Sequence, residues 1–164
     1  MRLSVTARYA INALSDLYSH SDLNQKPVSV SDISKRQNIP VNYLEQLFAK
    51  LRKKGLLTSV RGAQGGYVLS RDASEICISD ILNALDESLI FGDCQTEVGC
   101  KNAPLCPTFF LWRRVKGSID EILEDTSLKD LFNEKVALLN QTQIDPIREE
   151  IKNRAVKREQ ESKK

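Results

Sequence analysis

Apolar positions recur at helical spacing along the first half of the chain and predict two of its elements. Across Thr6–Tyr18 they fall on one face, so a helix there should pack against a core. From Val41 onward, four of them follow the spacing i, i+3, i+4, i+7 and predict an amphipathic helix. These four are Leu44, Leu47, Phe48 and Leu51. The helix should end at Lys53–Gly55, because cations favour the negative end of the helix dipole and glycine is a common C-cap.

The segments around this helix predict a winged helix. Ser29–Asp32 has the form of a capping box with Asp in place of the usual Glu, and it should open a short helix that runs to about Gln37. A tight turn then joins the two helices into a helix-turn-helix candidate. A strand-like segment, a glycine-rich loop at 61–66 and a second short strand follow as a hairpin. Gly65 and Gly66 are expected to take positive φ, so that the ribbon turns back on itself.

The second half of the chain is predicted to be helical around one irregular loop. A connecting helix should begin at Ser79, and a longer helix over about Thr108–Glu124 carries an apolar stripe. The stripe consists of Phe109, Trp112, Val115, Ile119 and Leu123. Thr126 or Ser127 can cap a final short helix through Phe132. The expected fold class is therefore mainly α with a small β-wing.

Charge divides the chain into unlike parts, although the net charge is only +2. Residues 1–67 hold ten Lys or Arg against four acids, a net charge of +6, whereas residues 68–112 hold two bases against seven acids. A basic front end indicates a polyanionic partner, and the polar side of the second predicted helix carries residue types that read bases or hold phosphates. Arg61, at the wing tip, suits a narrow minor groove. The DNA-binding candidates are Asn42, Tyr43, Glu45, Gln46, Lys50, Arg52 and Arg61.

Composition argues against several other classes of protein. With 41% apolar and 28% charged residues the chain should fold, and no apolar run approaches the ~20 residues that span a bilayer. The N-terminus has no apolar signal-peptide core, so we expect a cytoplasmic protein without a membrane partner. No Gly-rich phosphate loop and no Ser/His/Asp pattern is present, and His20 is the single histidine. We therefore expect no enzymatic activity.

Three of the four cysteines are evenly spaced within one predicted loop, as Cys94-x5-Cys100-x5-Cys106. Thiolates are soft ligands, and three in one loop can surround a metal centre. The spacing matches neither the paired CxxC units of a zinc ribbon nor the ferredoxin patterns. It favours an iron–sulfur cluster, with zinc and incidental reduced thiols as the alternatives. Cys77 lies in an apolar stretch and is interpreted as a small buried hydrophobe.

Many short stretches together resemble the IscR-type winged-helix regulators, a family of dimeric bacterial transcription factors that sense state through an iron–sulfur cluster. The similarity covers about the first 135 residues and includes the family's cysteine spacing. It fits the IscR branch better than the nitric-oxide or cysteine-metabolism branches. The matching stretches are Met1–Leu3, Arg8–Ala10, Asp32–Ser34, Tyr43–Phe48, Leu51–Lys53, Gly55–Leu56, Ser59–Gly62, Gly65–Tyr67, Asp86–Ser88 and Leu111–Arg113.

The resemblance implies a regulator, mainly a repressor, of iron–sulfur assembly or iron-homeostasis genes. Such a regulator binds a double-stranded DNA operator as a homodimer and receives its cluster from the cluster assembly machinery. The resemblance also implies cluster ligation by the three cysteines and places Tyr43, Glu45 and Gln46 in the recognition helix, with Arg61 in the minor groove. Glu45 would help to discriminate between operator classes in the cluster-bound and cluster-free forms.

The implied organisation is a winged helix-turn-helix domain followed by a sensor loop and a long dimerisation helix that begins near Thr108. The expected segments are the DNA-binding domain (1–70), a connecting helix (71–90), a cysteine cluster-binding loop (91–107), the dimerisation helix with a short terminal helix (108–140), and a charged, flexible tail (141–164).

One position departs from the family. The third residue after the last cysteine is a histidine ligand in IscR, whereas here it is Phe109, which cannot coordinate iron. The fourth ligand stays open among His20, Asp93, Glu97, Thr108, a group of the partner chain, and an exogenous thiol or water. The resemblance favours a 2Fe–2S cluster, and three cysteines with a weak fourth ligand also suit a 4Fe–4S cluster.

Two rival functions come from other classes. One is an iron–sulfur electron carrier or enzyme without a DNA-binding role, and the other is a zinc-stabilised module that acts through its helices. Binding to an operator-like duplex separates a regulator from a carrier, and metal analysis separates an iron–sulfur site from zinc.

Overall fold

A computed structural model describes residues 4–21, 26–62, 64–87, 100 and 105–140. The described part is mainly helical with one two-stranded antiparallel sheet, which confirms the expected fold class. The elements are α1 (Val5–His20), α2 (Val30–Gln37), α3 (Val41–Lys53), β1 (Leu57–Val60), β2 (Gly66–Leu69), a 3-10 turn (Ala73–Glu75), α4 (Ile78–Ala84) and α5 (Pro107–Asp125).

The helical periodicity correctly predicted the buried face of α3, and in α1 it predicted the buried Ala10, Ala13, Leu14 and Leu17, whereas Tyr9 and Tyr18 are half-buried. The hydroxyl of Ser4 caps α1 by accepting from the backbone N–H of Ala7 at 3.0 Å, as expected for an N-cap serine. The apolar positions predicted for α3 are its four buried residues. Because they hold one side of the helix against the core, the opposite side faces outward. The shared core of these two helices includes Leu14, Leu17, Leu44 and Phe48, all with 0% exposure.

Caps and turns determine where the helix-turn-helix elements begin and end. Ser29 caps α2, since its hydroxyl accepts from the N–H of Asp32 at 3.1 Å and donates to that residue's carboxylate at 2.8 Å. Asn38 ends α2 in the left-handed region with φ 53°. Gly55, with φ 78°, follows the end of α3 and turns the chain toward β1.

The wing differs from the sequence prediction in which glycine takes positive φ. The strands pair in the register Leu57↔Leu69 to Val60↔Gly66. Gly62, with φ 123°, adopts the conformation that was expected of Gly65 and Gly66, so that prediction was wrong. Those two positions need glycine for a different reason, close backbone approach. A Cβ on Gly66 would lie 2.3 Å from the carbonyl oxygen of Val28, which bridges to β2 through Tyr67.

Two predicted helix boundaries in the second half require correction. α4 begins at Ile78 rather than Ser79, because the carboxylate of Asp80 accepts from the N–H of Cys77 at 3.2 Å and caps the helix one residue earlier. The final short helix was predicted to stop at Phe132, whereas residues up to 140 are helical. The chain divides between Asp130 and Leu131 into two compact units, Met1–Asp130 and Leu131–Lys164.

Candidate nucleic-acid interface and cysteine site

Five of the predicted DNA-binding residues lie exposed on α3, namely Asn42, Glu45, Gln46, Lys50 and Arg52. They project from the turns whose intervening positions are buried in the core. A helix of this kind is held firmly on one side and presents donors, acceptors and a cation on the other. The arrangement can place amide and carboxylate groups against base edges and an ammonium group against a phosphate.

Tyr43 belongs to the same helix but is held by contacts with α1. Its side chain is half-buried, its hydroxyl lies 2.7 Å from the Oγ1 of Thr6, and its ring packs edge-on against Tyr9 with centroids 5.6 Å apart. The phenol therefore has a fixed orientation at the margin of the exposed face. The sequence predicted a DNA contact at this residue and gave no signal for its bond to α1.

The basic residues divide between the end of α3 and the wing. Lys50, Arg52 and Lys53 occupy the last turn of α3, where cations interact favourably with the helix dipole. Arg52 also reaches the wing, where its Nη1 donates to the Oγ of Ser59 on β1 at 3.4 Å. Arg61 is exposed directly after β1. The structure thus places Lys50, Arg52 and Arg61 on accessible surfaces, and Arg52 also links the helix to the hairpin.

Cys106 is the predicted ligand for which the structure gives the fullest description. It is the N-cap residue of α5, and its Sγ lies 3.0 Å from the Oγ1 of Thr108. The hydrogen bond from Thr108, followed by the backbone N–H groups of Phe109 and Thr108, lowers the pKa of the Cys106 thiol. A thiol whose pKa is lowered supplies more of the thiolate form, which is the form that binds metals.

The other predicted ligands are only partly described. Cys100 is exposed, and Cys94 lies outside the described residues, as do the fourth-ligand candidates Asp93 and Glu97. Within the part of the chain that the structure covers, no three His, Cys, Asp or Glu side chains are grouped for a metal ion. Phe109, in the position of the family's histidine, is half-buried and packs edge-on against Phe110.

The remaining candidates have structural partners. The Nδ1 of His20 lies 2.8 Å from both the Oγ of Ser19 and the backbone oxygen of Asp16, at the end of α1. Cys77 is a free thiol that is half-buried rather than buried, which corrects its interpretation as a core residue. Its flanking residues Ile76 and Ile78 are buried, and its own backbone bridges to Ser127.

Sequence reasoning missed a buried ion pair that joins α1 to α2. The carboxylate of Asp16 is 3% exposed and accepts from the Nε and Nη2 of Arg36 at 2.7–3.1 Å. Gln37 donates a further hydrogen bond to it at 2.8 Å. The sequence does contain an indication of this ion pair, since Asp16 lies among the apolar positions of α1, three residues after the buried Ala13. A lone acid on a core-facing stripe indicates a partner on a neighbouring element.

Among the helices of the described residues, none has the length and apolar composition of a membrane span.

A model of the Rrf2 family, described as an iron-dependent transcriptional regulator, matches residues 3–134. The HTH-type transcriptional regulator IscR of Photorhabdus laumondii is 45% identical over 138 residues, which cover 84% of this chain and 83% of that protein. A putative HTH-type transcriptional regulator of Azotobacter vinelandii, ORF2, is 46% identical over 131 residues, 80% of this chain and 79% of that protein.

Solved structures show the same likeness. T. potens IscR superposes with a TM-score of 0.65 at 38% identity, over 82% of this chain and 88% of that one. CymR, the global cysteine regulator of B. subtilis, superposes with a TM-score of 0.69 at 31% identity, over 82% and 98% of the two chains. These relatives are transcriptional regulators and not enzymes, in agreement with the expectation from the sequence.

Proposed function

The chain belongs to the Rrf2 family of iron-dependent transcriptional regulators, and from this premise we propose that it is a cluster-sensing repressor of iron–sulfur assembly or iron-homeostasis genes. The exposed polar face of α3 carries the proposal, because it is backed by the core and is followed by the wing that carries the exposed Arg61. A B-DNA major groove about 12 Å wide admits a helix, so this face would read an operator while Arg61 enters the adjacent minor groove.

Binding of a double-stranded operator can be tested with single charge changes. Lys50→Ala should lower the slope of log affinity against log salt by about 1, which is the effect of losing one phosphate contact. Lys129→Ala, an equal charge change at an exposed helical position, is the matched control and should leave the slope unchanged. Arg61→Ala should weaken binding by about 1–3 kcal/mol. Equal effects of Lys50→Ala and Lys129→Ala would show nonspecific attraction and support the rival reading as a carrier without a DNA-binding role.

Cys94, Cys100 and Cys106 are the proposed ligands of an iron–sulfur cluster. The support from the structure is the environment of the half-buried Cys106, whose Sγ lies 3.0 Å from the Oγ1 of Thr108 and whose thiolate is favoured at the first turn of α5. A bound cluster would supply iron–thiolate bonds and a redox-sensitive charge. By holding Cys106, the site would fix the start of α5, and Phe109 leaves the fourth ligand to another group. We favour a 2Fe–2S cluster, as in the IscR branch.

Metal analysis tests the cluster. Protein purified without oxygen should be brown and should contain iron and inorganic sulfide, and Mössbauer spectra of iron-labelled protein should resolve the cluster type together with incomplete cysteine ligation. Cys106→Ala is expected to lose the colour. A colourless protein with stoichiometric zinc would overturn the cluster and favour the zinc-stabilised alternative.

A homodimer is the proposed assembly, and α5 is its proposed interface. No residue of α5 is buried within this chain, and Phe110, Leu111 and Ile122 are 54%, 54% and 62% exposed. Several exposed apolar side chains of this size on one helix are typical of an interaction surface. Sedimentation should show a dimer that Ile122→Glu converts to monomers, whereas a wild-type monomer would contradict the proposal.

The proposed setting follows from the proposed function. An operator-binding repressor acts in the cytoplasm, where the cluster assembly machinery would supply its cluster. Cells depleted of that machinery should yield the protein without iron or sulfide. Full cluster occupancy in such cells would show a different source.

A further inference from the structure

Two hydrogen bonds of equal length meet at the first turn of α1. The Oγ of Ser4 donates to the Oε1 of Glu87 at 2.7 Å, and the Oγ1 of Thr6 lies 2.7 Å from the hydroxyl of Tyr43. Both bonds are partly buried and join residues that are distant in the sequence. One turn of α1 therefore contacts both the chain after α4 and the helix that carries the candidate DNA-reading face.

We propose that this turn couples the cysteine segment (residues 88–106) to the recognition helix α3, with Glu87 and Thr6 as positioning residues; the inference rests on the proposed function. Glu87 is the last described residue before the cysteine segment and stands seven residues before Cys94. A change in that segment would act on Glu87, and from there on Ser4, Thr6 and Tyr43. The result would be a change in how α3 is presented to DNA.

Glu87 also adjoins the helix that follows the last cysteine. It lines a cleft between α4 and α5 together with Asn83 of α4 and with Lys116 and Asp120 of α5. Since α5 begins directly after Cys106, this cleft joins Glu87, which precedes the cysteine segment, to the helix that follows it. Glu87 is thus placed to respond to a movement at either end of the segment.

The hydrogen bond between Ser4 and Glu87 is more buried than a neighbouring ion pair. Asp86 lies 3.6 Å from the Nζ of Lys54 at the end of α3, but the two side chains are 79% and 52% exposed. Ion pairs exposed to that degree contribute little, because water and salt screen them. The half-buried hydroxyl of Ser4 donates to Glu87 and also accepts from Ala7 as the cap of α1. A displacement of Glu87 would therefore reach the helix cap itself.

The Thr6–Tyr43 bond is the second half of the coupling. Edge-on packing against Tyr9 leaves the phenol of Tyr43 little freedom, and the bond to Thr6 fixes its remaining direction. Tyr43 lies between Asn42 and the exposed Glu45 in the first half of α3. A signal can shift the DNA-binding equilibrium only if it stabilises one arrangement of these contacts more than the other.

The coupling is measured as the ratio of operator affinities between cluster-loaded and cluster-free protein. Glu87→Ala and Thr6→Val each remove one hydrogen bond and keep the Ser4 cap, and each should move this ratio about fivefold toward one. Glu87→Gln and Thr6→Ser keep an acceptor and a hydroxyl, respectively, and should restore the wild-type ratio. Glu75→Ala, in the 3-10 turn, and Thr126→Val, at the C-cap of α5, are the matched controls, and both should preserve the ratio.

A second measurement needs no cluster. In the cluster-free protein, Glu87→Ala should speed backbone hydrogen exchange in the first turns of α3, although its hydrogen bond is to α1. Glu75→Ala should leave that exchange unchanged. Unaltered exchange in Glu87→Ala would overturn the coupling, whatever the state of the cluster.

The two measurements separate failure of the coupling from failure of the proposed function. A wild-type ratio different from one that both variants retain would overturn the coupling and leave the regulator intact. Equal weakening of both protein forms would mean that the bonds only stabilise the fold, which also overturns it. A wild-type ratio of one would overturn cluster control of DNA binding, and with it the regulatory role of this turn.

Discussion

The ion pair between Asp16 and Arg36 gives the most quantitative test of how the helix-turn-helix is held together. Arg36 donates to both carboxylate oxygens of Asp16, and Gln37 is a second residue that donates to this carboxylate. The Asp16 side chain is 3% exposed, whereas that of Arg36 is 32% exposed. The hydrogen bond to Asp16 raises the pKa of Arg36 above its already high value, so the guanidinium stays charged at every pH at which the protein folds.

Arg36→Met removes the guanidinium while it keeps an unbranched stem against the neighbouring helix. Breaking a buried ion pair costs about 3–5 kcal/mol, because one charge is left without its partner. The low end, about 3 kcal/mol, applies here, since Arg36 is one-third exposed and Gln37 still donates to Asp16. We expect the melting temperature to fall by about 10 °C.

Urea unfolding of the cluster-free protein, followed by circular dichroism, measures this loss. Lys35→Met removes the same charge from an exposed position of α2 and should change the free energy of unfolding by less than about 0.5 kcal/mol. The double variant Asp16→Leu/Arg36→Met should recover much of the loss, because an apolar pair can replace a buried ion pair at little cost. A loss below about 1 kcal/mol in Arg36→Met, or a double variant that costs the sum of the single variants, would refute the reasoning.

Three further changes have defined outcomes. Gly66→Ala brings a Cβ against the backbone of Val28 and should lower the free energy of unfolding by about 1–3 kcal/mol, measured in urea. The hydroxyl and N–H of Ser127 lower the pKa of Asp130, which contributes stability above pH ~4 that is lost as the pH falls through the lowered pKa. Ser127→Ala should therefore raise that pKa in an NMR titration, and an unchanged pKa would contradict the assignment. Phe109→His places an imidazole three residues after Cys106, on the same helix face, and should slow cluster loss in air, followed by absorbance.

The elements that local pattern determines could be predicted from the sequence. The buried positions of α3 repeat at helical spacing, and the Ser29 cap and the Gly55 stop require only neighbouring residues. Interactions of this kind depend on the residue types at a few consecutive positions, so the sequence alone predicts them. The exposed face of α3 then followed as the complement of the buried one, which is why Asn42 and Gln46 were found at accessible sites.

The features that the sequence did not reveal depend on contacts between distant segments. Gly66 needs to be glycine because the backbone of Val28 lies where a Cβ would be, and the hydrophobic pattern of the sequence does not indicate this contact. The bond between Thr6 and Tyr43 joins two polar residues that look solvent-exposed on their own helices. Cys94 lies outside the described residues, so its ligand role remains a prediction from spacing and resemblance.

The hydrogen bonds of Ser4 and Thr6 lie at the start of α1, whereas the ion pair of Asp16 lies near its end. We expect the first group to affect DNA binding and the ion pair to affect only stability. The middle of α1 is fixed by close packing, with Ala10, Ala13 and Leu14 at 0% exposure, and packed cores do not deform continuously. A displacement that enters at Glu87 should therefore stay within the first turns of α1 and α3, and it should not reach the pair that holds α2. We accordingly expect Arg36→Met to lower stability without altering the affinity ratio between cluster-loaded and cluster-free protein, and Glu87→Ala to alter that ratio without changing hydrogen exchange in α2.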